Sequence, residues 1–246
     1  MQRLRRILLR RRHFVRLGAS QVNAAKFLLR SVGQTKQVTS LKSVQAWQRL
    51  LENFPVESVR SYLAMRADLW RLAREKVVAL EQELKEALKP FEEVRGRLET
   101  APGVGVITAA TFIAVLGTPH RFPDSGRVVS YIGLVPSTWD TGDQQRHGHI
   151  TRRGSAALRA VLCEAAHHAA SKRHPLNPYF ARLCAKHGYK RAVVAVAQRL
   201  ARILFQMWRK GESFDETQLN VVAERRTRTR TFYWRIKRSQ EQATAA

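Results

Sequence analysis

The chain has 246 residues, of which 44 are Lys or Arg and 19 are Asp or Glu, a formal net charge of +25. A globular core does not need that excess and self-repulsion opposes it, so the composition points to a polyanionic partner. No stretch approaches the roughly 20 apolar residues that span a bilayer, and residues 1–17 hold too many arginines for a signal peptide's apolar region, so no membrane is expected among the partners. The charge is also placed unevenly. Residues 1–30 and 165–211 contain no acid, and the tail from Arg225 to Arg238 is basic with Phe232, Tyr233 and Trp234 interleaved. A phosphate backbone is the natural counterpart of such segments. Cys163 and Cys184, the two cysteines, read as buried thiols in a reducing compartment. His147-x-His149 and His167-His168 lack the carboxylates or cysteines that would complete a metal set, so no structural zinc is expected.

In chain order, residues 1–35 read as a basic helix with Ile7, Leu8, Phe14, Val15, Val22, Phe27 and Leu28 as apolar positions, ending near Gly33. It opens at Met1 without a cap, and nothing before it covers its apolar face, as though the chain began inside something larger. Residues 36–99 hold a seven-residue repeat. Leu63, Trp70, Val77, Leu84, Phe91 and Leu98 form one row, and Ala73, Leu80, Ala87 and Val94 form the second, broken only by Arg66. That pattern predicts a coiled coil; a long helix packed on its own domain is the alternative. Pro90 removes a backbone donor and predicts a kink or break.

Residues 100–105 then read as a helix end and a tight Pro102-Gly103-Val104-Gly105 turn, followed by an uncharged apolar helix to Leu116. Gly103 and Gly105 permit positive φ and close backbone approach, and the first N–H groups of the new helix lack intrahelical partners. Together they make the anion site of a helix-hairpin-helix, a module that grips nucleic-acid backbone; an ordinary helix–helix turn is the other reading. Residues 127–132 suit a short helix between Asp124-Ser125 and Gly133, and 137–154 a loop or small hairpin. Ser155 caps a helix to about residue 172, Asn177-Pro178 opens the next, and Tyr189 to Lys210 forms another, ended by Gly211. Weak order is expected past Asp215. The predicted fold is mainly α, with at most a small β-hairpin, in segments 1–35, 36–99, 100–215 (the helix-hairpin-helix domain) and a basic tail, 216–246.

The ordered set Ala101-Pro102-Gly103-Val104-Gly105, Arg121-Phe122, Tyr131-Ile132-Gly133-Leu134-Val135-Pro136, Thr141-Gly142, Gly148-His149-Ile150-Thr151-Arg152-Arg153-Gly154, Leu158-Arg159 and Glu164-Ala165-Ala166 resembles one family. It is similar to the C-terminal domain of the IS116/IS110/IS902-type insertion-sequence transposases, relatives of the Piv/MooV DNA invertases. The resemblance implies a bacterial, nucleoid-associated cytoplasmic recombinase that binds DNA, with a structured guide RNA as a further partner in many members. It also implies a RuvC-like domain whose four acids hold Mg2+ ahead of a coiled-coil region. Here the first acid is Glu52, so that domain and its metal ligands are expected to be missing and no cofactor is expected in this chain.

By the same resemblance the nucleophilic serine corresponds to Thr141, before Gly142. Threonine keeps the hydroxyl but adds a methyl that crowds an in-line approach; Ser137 is the alternative hydroxyl, and a plain turn residue is the alternative role for Thr141. Arg146, Arg152, Arg153 and Arg159 read as a guanidinium clamp on a phosphate, against a solvated basic face. Glu164 is expected to orient one of them. Two functions remain open: a transposase, truncated or not, that attacks a DNA phosphodiester, and a remnant that binds DNA or guide RNA and self-associates through the heptads.

Overall fold

The computed structural model describes residues 1–34, 41–52, 54–141, 144–216 and 219, and leaves the side chains of 138–141 and 144–147 undescribed. It divides into two compact units, Met1–Pro90 and Phe91–Ala246. In the first, α1 (Gln2–Ser31), α2 (Val44–Glu52) and α3 (Glu57–Leu88) are connected in that order. α1 and α3 run antiparallel: Arg3 meets Glu83 (3.9 Å), Arg11 meets Glu81 (2.7 Å), and Arg66 donates to Gln21 Oε1 (2.9 Å).

The heptad stripe therefore finds its partner within the chain. Leu63, Trp70, Ala73 and Leu84 are buried on α3, and Leu4, Ile7, Ala25 and Leu29 on α1. Arg66, the one break in the repeat, is the polar contact that crosses this seam to buried Gln21. After Leu84 burial passes to Leu88 and not Ala87, the drift expected when a straight 3.6-residue helix carries a seven-residue pattern. Around α2, Leu41, Trp47, Leu50 and Phe54 complete the core, with the Trp47 and Trp70 rings 5.9 Å apart. On its outer side α3 exposes Tyr62, Met65, Leu69 and Leu72 at 3-4-3 spacing. As Pro90 predicts, α3 stops at Leu88 and a 3-10 turn, Lys89–Phe91, precedes the next helix.

The second unit comprises α4 (Glu92–Glu99), α5 (Val106–Leu116), α6 (Ser125–Ile132), strands β1 (Pro136–Thr141) and β2 (Gln144–Ile150), α7 (Ala156–His167), α8 (Asn177–His187) and α9 (Tyr189–Lys210). α5 has no polar side beyond two threonines, and a helix apolar all round belongs in a core. Thr111 satisfies its buried hydroxyl by donating to Ile107 O (2.6 Å). α4 and α7 pack on α5, while α9 packs across α4, α6, α7 and α8 with the buried stripe Val193, Val196, Ala197, Leu200, Ala201 and Leu204. Phe122 lies between Tyr131 (5.2 Å) and Phe205 (6.5 Å), which makes the Arg121-Phe122 motif a packing element.

Two local expectations differ. α7 ends at His167 in a 3-10 turn, His168–Ala170, and does not run to residue 172. Asn177 is the first residue of α8 and not its cap, because its amide donates to Ala169 O (3.0 Å) and Ala170 O (3.3 Å) to hold that turn. Among the described residues no helix is long and apolar enough to cross a membrane.

Because Leu63 is fully buried in the α1–α3 seam, Leu63→Ala should destabilise the chain by about 3 kcal/mol. Met65→Ala on the outer side should change it by under about 0.5 kcal/mol. Urea denaturation followed by helical circular dichroism checks the contrast; equal effects would place the seam elsewhere.

Candidate nucleic-acid interface and phosphate site

Two pieces of the second unit carry the candidate chemistry. The first is the turn between α4 and α5. Val104 N donates to Ala101 O (3.1 Å), and Gly103 takes φ +80. A Cβ on Gly103 would lie 2.8 Å from Ala165 O, so the close backbone that this glycine admits is α7 of the same chain. Gly105 precedes α5 in extended backbone with open space where a Cβ would be. α5 begins with no side-chain cap and no acid beside exposed Gly105 and Val106, and the first N–H groups of a helix have no intrahelical partner. Val104 is buried and anchors the turn.

His174 secures the turn from the α7–α8 connection. Its Nδ1 accepts from Leu176 N (3.1 Å), which leaves Nε2–H to donate to Pro102 O (3.3 Å). Burial pushes the imidazole below its ordinary pKa, opposed by the Pro102 bond and aided by His168. Protonation would oppose the Leu176 N–H with a second donor.

The second piece is a knot of backbone beneath the β-hairpin. Asp124 Oδ1 accepts from Arg127 N (2.9 Å) to cap α6, which ends at left-handed Gly133. Thr151 N donates to Val135 O (2.8 Å) and Arg152 N to Gly133 O (3.2 Å). A Cβ on Gly133 would sit 2.0 Å from Arg153 O, and one on Gly154 2.0 Å from Tyr131 O. Arg159 closes the knot from α7: its Nη1 donates to Ile132 O (2.8 Å), Gly154 O (3.2 Å) and Arg153 O (3.4 Å). Arg152 is held at φ 55, a left-handed conformation uncommon outside glycine, of a kind often retained at functional positions.

Above the knot β1 and β2 pair antiparallel, Pro136 opposite Ile150 and Thr141 opposite Gln144, with a register shift between Pro136 and Thr138. Ser137 lies at that irregularity and donates its hydroxyl to His149 O (2.9 Å). Pro136, Ser137, His149, Thr151, Arg152 and Arg153 line an open concavity, with no carboxylate among the described residues of its wall. Thr151 Oγ1 is buried there and has no hydrogen-bond partner among the described residues. The two arginines are exposed.

Of the residues singled out by sequence, the structure brings Ser137, Arg152 and Arg153 together, and puts Arg159 beneath them on carbonyl groups. Thr141 lies at the other end of β1, four residues and about 13 Å away by strand rise. The side chains of Thr141 and Arg146, and Gly142 altogether, lie outside the described residues. Glu164 is exposed and pairs with no arginine among the described residues. Cys163 and Cys184 are free and half-buried; burial pushes the Cys163 thiol up, against the pull of Arg159. Thr151 and His174 were not distinguished by sequence, because each acquires its role from segments distant along the chain.

Gly154→Ala should cost at least about 2 kcal/mol, since the new methyl meets backbone and not a movable side chain. A thermal melt unshifted by that change would disprove the knot. His174 has a depressed folded pKa, so its stabilisation is complete above the unfolded value near 6.5 and lost as pH falls through the folded one. Melting temperature should therefore fall between about pH 7 and pH 5, and less steeply in His174→Gln.

Residues 95–182 match the model of the transposase IS116/IS110/IS902 family. The chain is 31% identical over 138 residues to the transposase for insertion sequence element IS1111A of Coxiella burnetii, covering 54% of this chain and 38% of that protein. It is 27% identical over 207 residues to a probable family 20 transposase of Pseudomonas aeruginosa, covering 80% and 60% respectively. Over 92 residues it is 35% identical to the transposase for insertion sequence element IS1328 of Yersinia enterocolitica, covering 37% and 27%. The chain thus spans between about a quarter and three fifths of the length of these three relatives. Residues 95–182 therefore carry the domain of the transposase IS116/IS110/IS902 family.

Proposed function

We propose that this chain is the DNA-handling part of an insertion-sequence transposase, and that the concavity at the hairpin root receives a DNA phosphodiester. The supporting observation is the meeting of Ser137, Thr151 and the Arg152–Arg153 pair in a wall whose described residues include no carboxylate. The step would be transesterification. The hydroxyl oxygen bonds phosphorus, the phosphorus–deoxyribose oxygen bond breaks, and the proton passes through solvent to the departing oxygen. The arginines would stabilise the charge that builds on the phosphoryl oxygens. Among the described residues no three metal-ligating side chains converge, so the magnesium implied by the family has no donor set in them and no step is routed through it.

Binding without chemistry is the second reading. It is favoured by the Ser137 hydroxyl, whose proton is directed at a carbonyl that cannot accept it as a base. In both readings the open N-terminus of α5 at Gly105 adds sequence-independent affinity for backbone. A structured guide RNA is a further polyanion for the same surfaces. Self-association would use the outer stripe of α3, because the inner one is occupied by α1.

Arg152→Gln with Arg153→Gln should weaken binding to duplex DNA by about tenfold per arginine, measured by fluorescence anisotropy. Gly105→Val, which the backbone tolerates, should weaken all duplexes alike. Covalent capture on a denaturing gel tests the chemistry. An adduct lost in Ser137→Ala and kept in Thr141→Ala supports the hairpin-root site; the reverse moves the nucleophile to Thr141. Binding with no adduct favours the second reading, and no binding sinks both. Light scattering of Met65→Glu with Leu69→Glu checks self-association; an oligomer that survives overturns the outer-stripe interface.

A further inference from the structure

α1 carries seven arginines between positions 3 and 16 and no acid along its length. Arg3, Arg5 and Arg6 sit in its first turns, at the positive end of the helix dipole, where an acid would stabilise and a cation does not. The charge is therefore not a helix-stabilising device. α3 takes two of the seven, Arg11 on Glu81 and Arg3 near Glu83. Arg6, Arg10, Arg12 and Arg16 are exposed, and among the described residues none of these four reaches a carboxylate. At about 100° per residue they share, with exposed His13, the side of α1 opposite the stripe buried on α3.

We propose that this outward face of α1 is a docking surface for duplex DNA, a second contact that rests on the DNA-handling reading above but uses none of its residues. Arg6 to Arg16 extends about 15 Å along the axis, a length over which a duplex presents about nine phosphate charges. A helix about 10–12 Å across fits the roughly 12 Å major groove of B-form DNA, whereas the A-form groove of RNA is too narrow and deep to admit it. A lipid surface is disfavoured by the packing. An interfacial helix buries a contiguous apolar face, whereas the stripe Leu4, Ile7, Ala25 and Leu29 is already buried and the exposed apolar residues of α1, Leu9, Val15 and Phe27, stand apart from one another.

The test uses the full chain and a short duplex of arbitrary sequence, with affinity read by anisotropy across a salt series. Arg6, Arg10, Arg12 and Arg16 changed together to Gln keep good helix formers at exposed positions, so the circular dichroism should not change. Affinity at moderate salt should drop at least tenfold, and the slope of log affinity against log salt should become shallower by about 0.9 for each phosphate no longer neutralised. Changing the same four to Lys should retain most of both. An unchanged slope in the Gln variant, or a Lys variant as weak as the Gln one, overturns the proposal. So does an RNA duplex of equal length bound more tightly through the same four residues. Loss of affinity in Gly105→Val or the Arg152/Arg153 variant, with none in the four-Gln variant, removes this surface and leaves the first reading standing. The converse pattern supports α1 and removes the hairpin reading.

Discussion

The second unit depends on the approach of two backbone segments to within a distance that no side chain permits. Gly133 and Gly154 each place their Cα where a methyl would lie 2.0 Å from a carbonyl oxygen of the other segment. The carbonyls brought together there would repel one another if nothing stood between them. Arg159 supplies the donors, one guanidinium nitrogen reaching three of them. With those in place the end of α6, the root of the hairpin and the start of α7 are joined, and the backbone of Ser137, Arg152 and Arg153 leaves from that junction.

Arginine has two distinct roles in this chain, and the net charge of +25 conceals the difference. Arg159 satisfies carbonyls, Arg66 crosses the α1–α3 seam to Gln21, and Arg121 lies over Tyr131 at 4.8 Å. Arg95 is held between Glu92 and Glu99, which raises its pKa and keeps it charged. These guanidinium groups are internally engaged as donors or over a ring, and of the four only Arg95 has its charge offset by carboxylates among the described residues. Arg6, Arg10, Arg12, Arg16, Arg152 and Arg153 are exposed, and theirs is the charge that a phosphate backbone would meet.

The turn at Gly103 is joined to the rest of the unit in a comparable way. Its glycine is pressed against the last turns of α7, and its proline carbonyl is held by His174 from the loop beyond. A displacement of that loop would therefore be felt at the start of α5. The neutral imidazole is the form that fits, since Nδ1 must accept while Nε2–H donates.

Local signals in the sequence were sufficient for the elements themselves. Apolar patterning located α1, α3 and α5, Pro90 marked the end of α3, and Asp124, Ser155, Gly133 and Gly211 marked other boundaries, because each acts within a turn or two of its own position. The ordered glycine, proline and arginine motifs also pointed to the family domain that residues 95–182 match. Partners were another matter. A heptad stripe reads the same whether a second copy or α1 covers it, and only the tertiary structure showed α1 there. The contact of Gly103 with the backbone of α7, and those of Arg159 with the carbonyls beneath it, likewise came only from the tertiary structure. Thr141 and Ser137 are equally hydroxyls in a sequence; the register shift in the hairpin set Ser137 beside the arginines. Contacts between residues far apart along the chain depend on how the helices pack, and no local pattern encodes them.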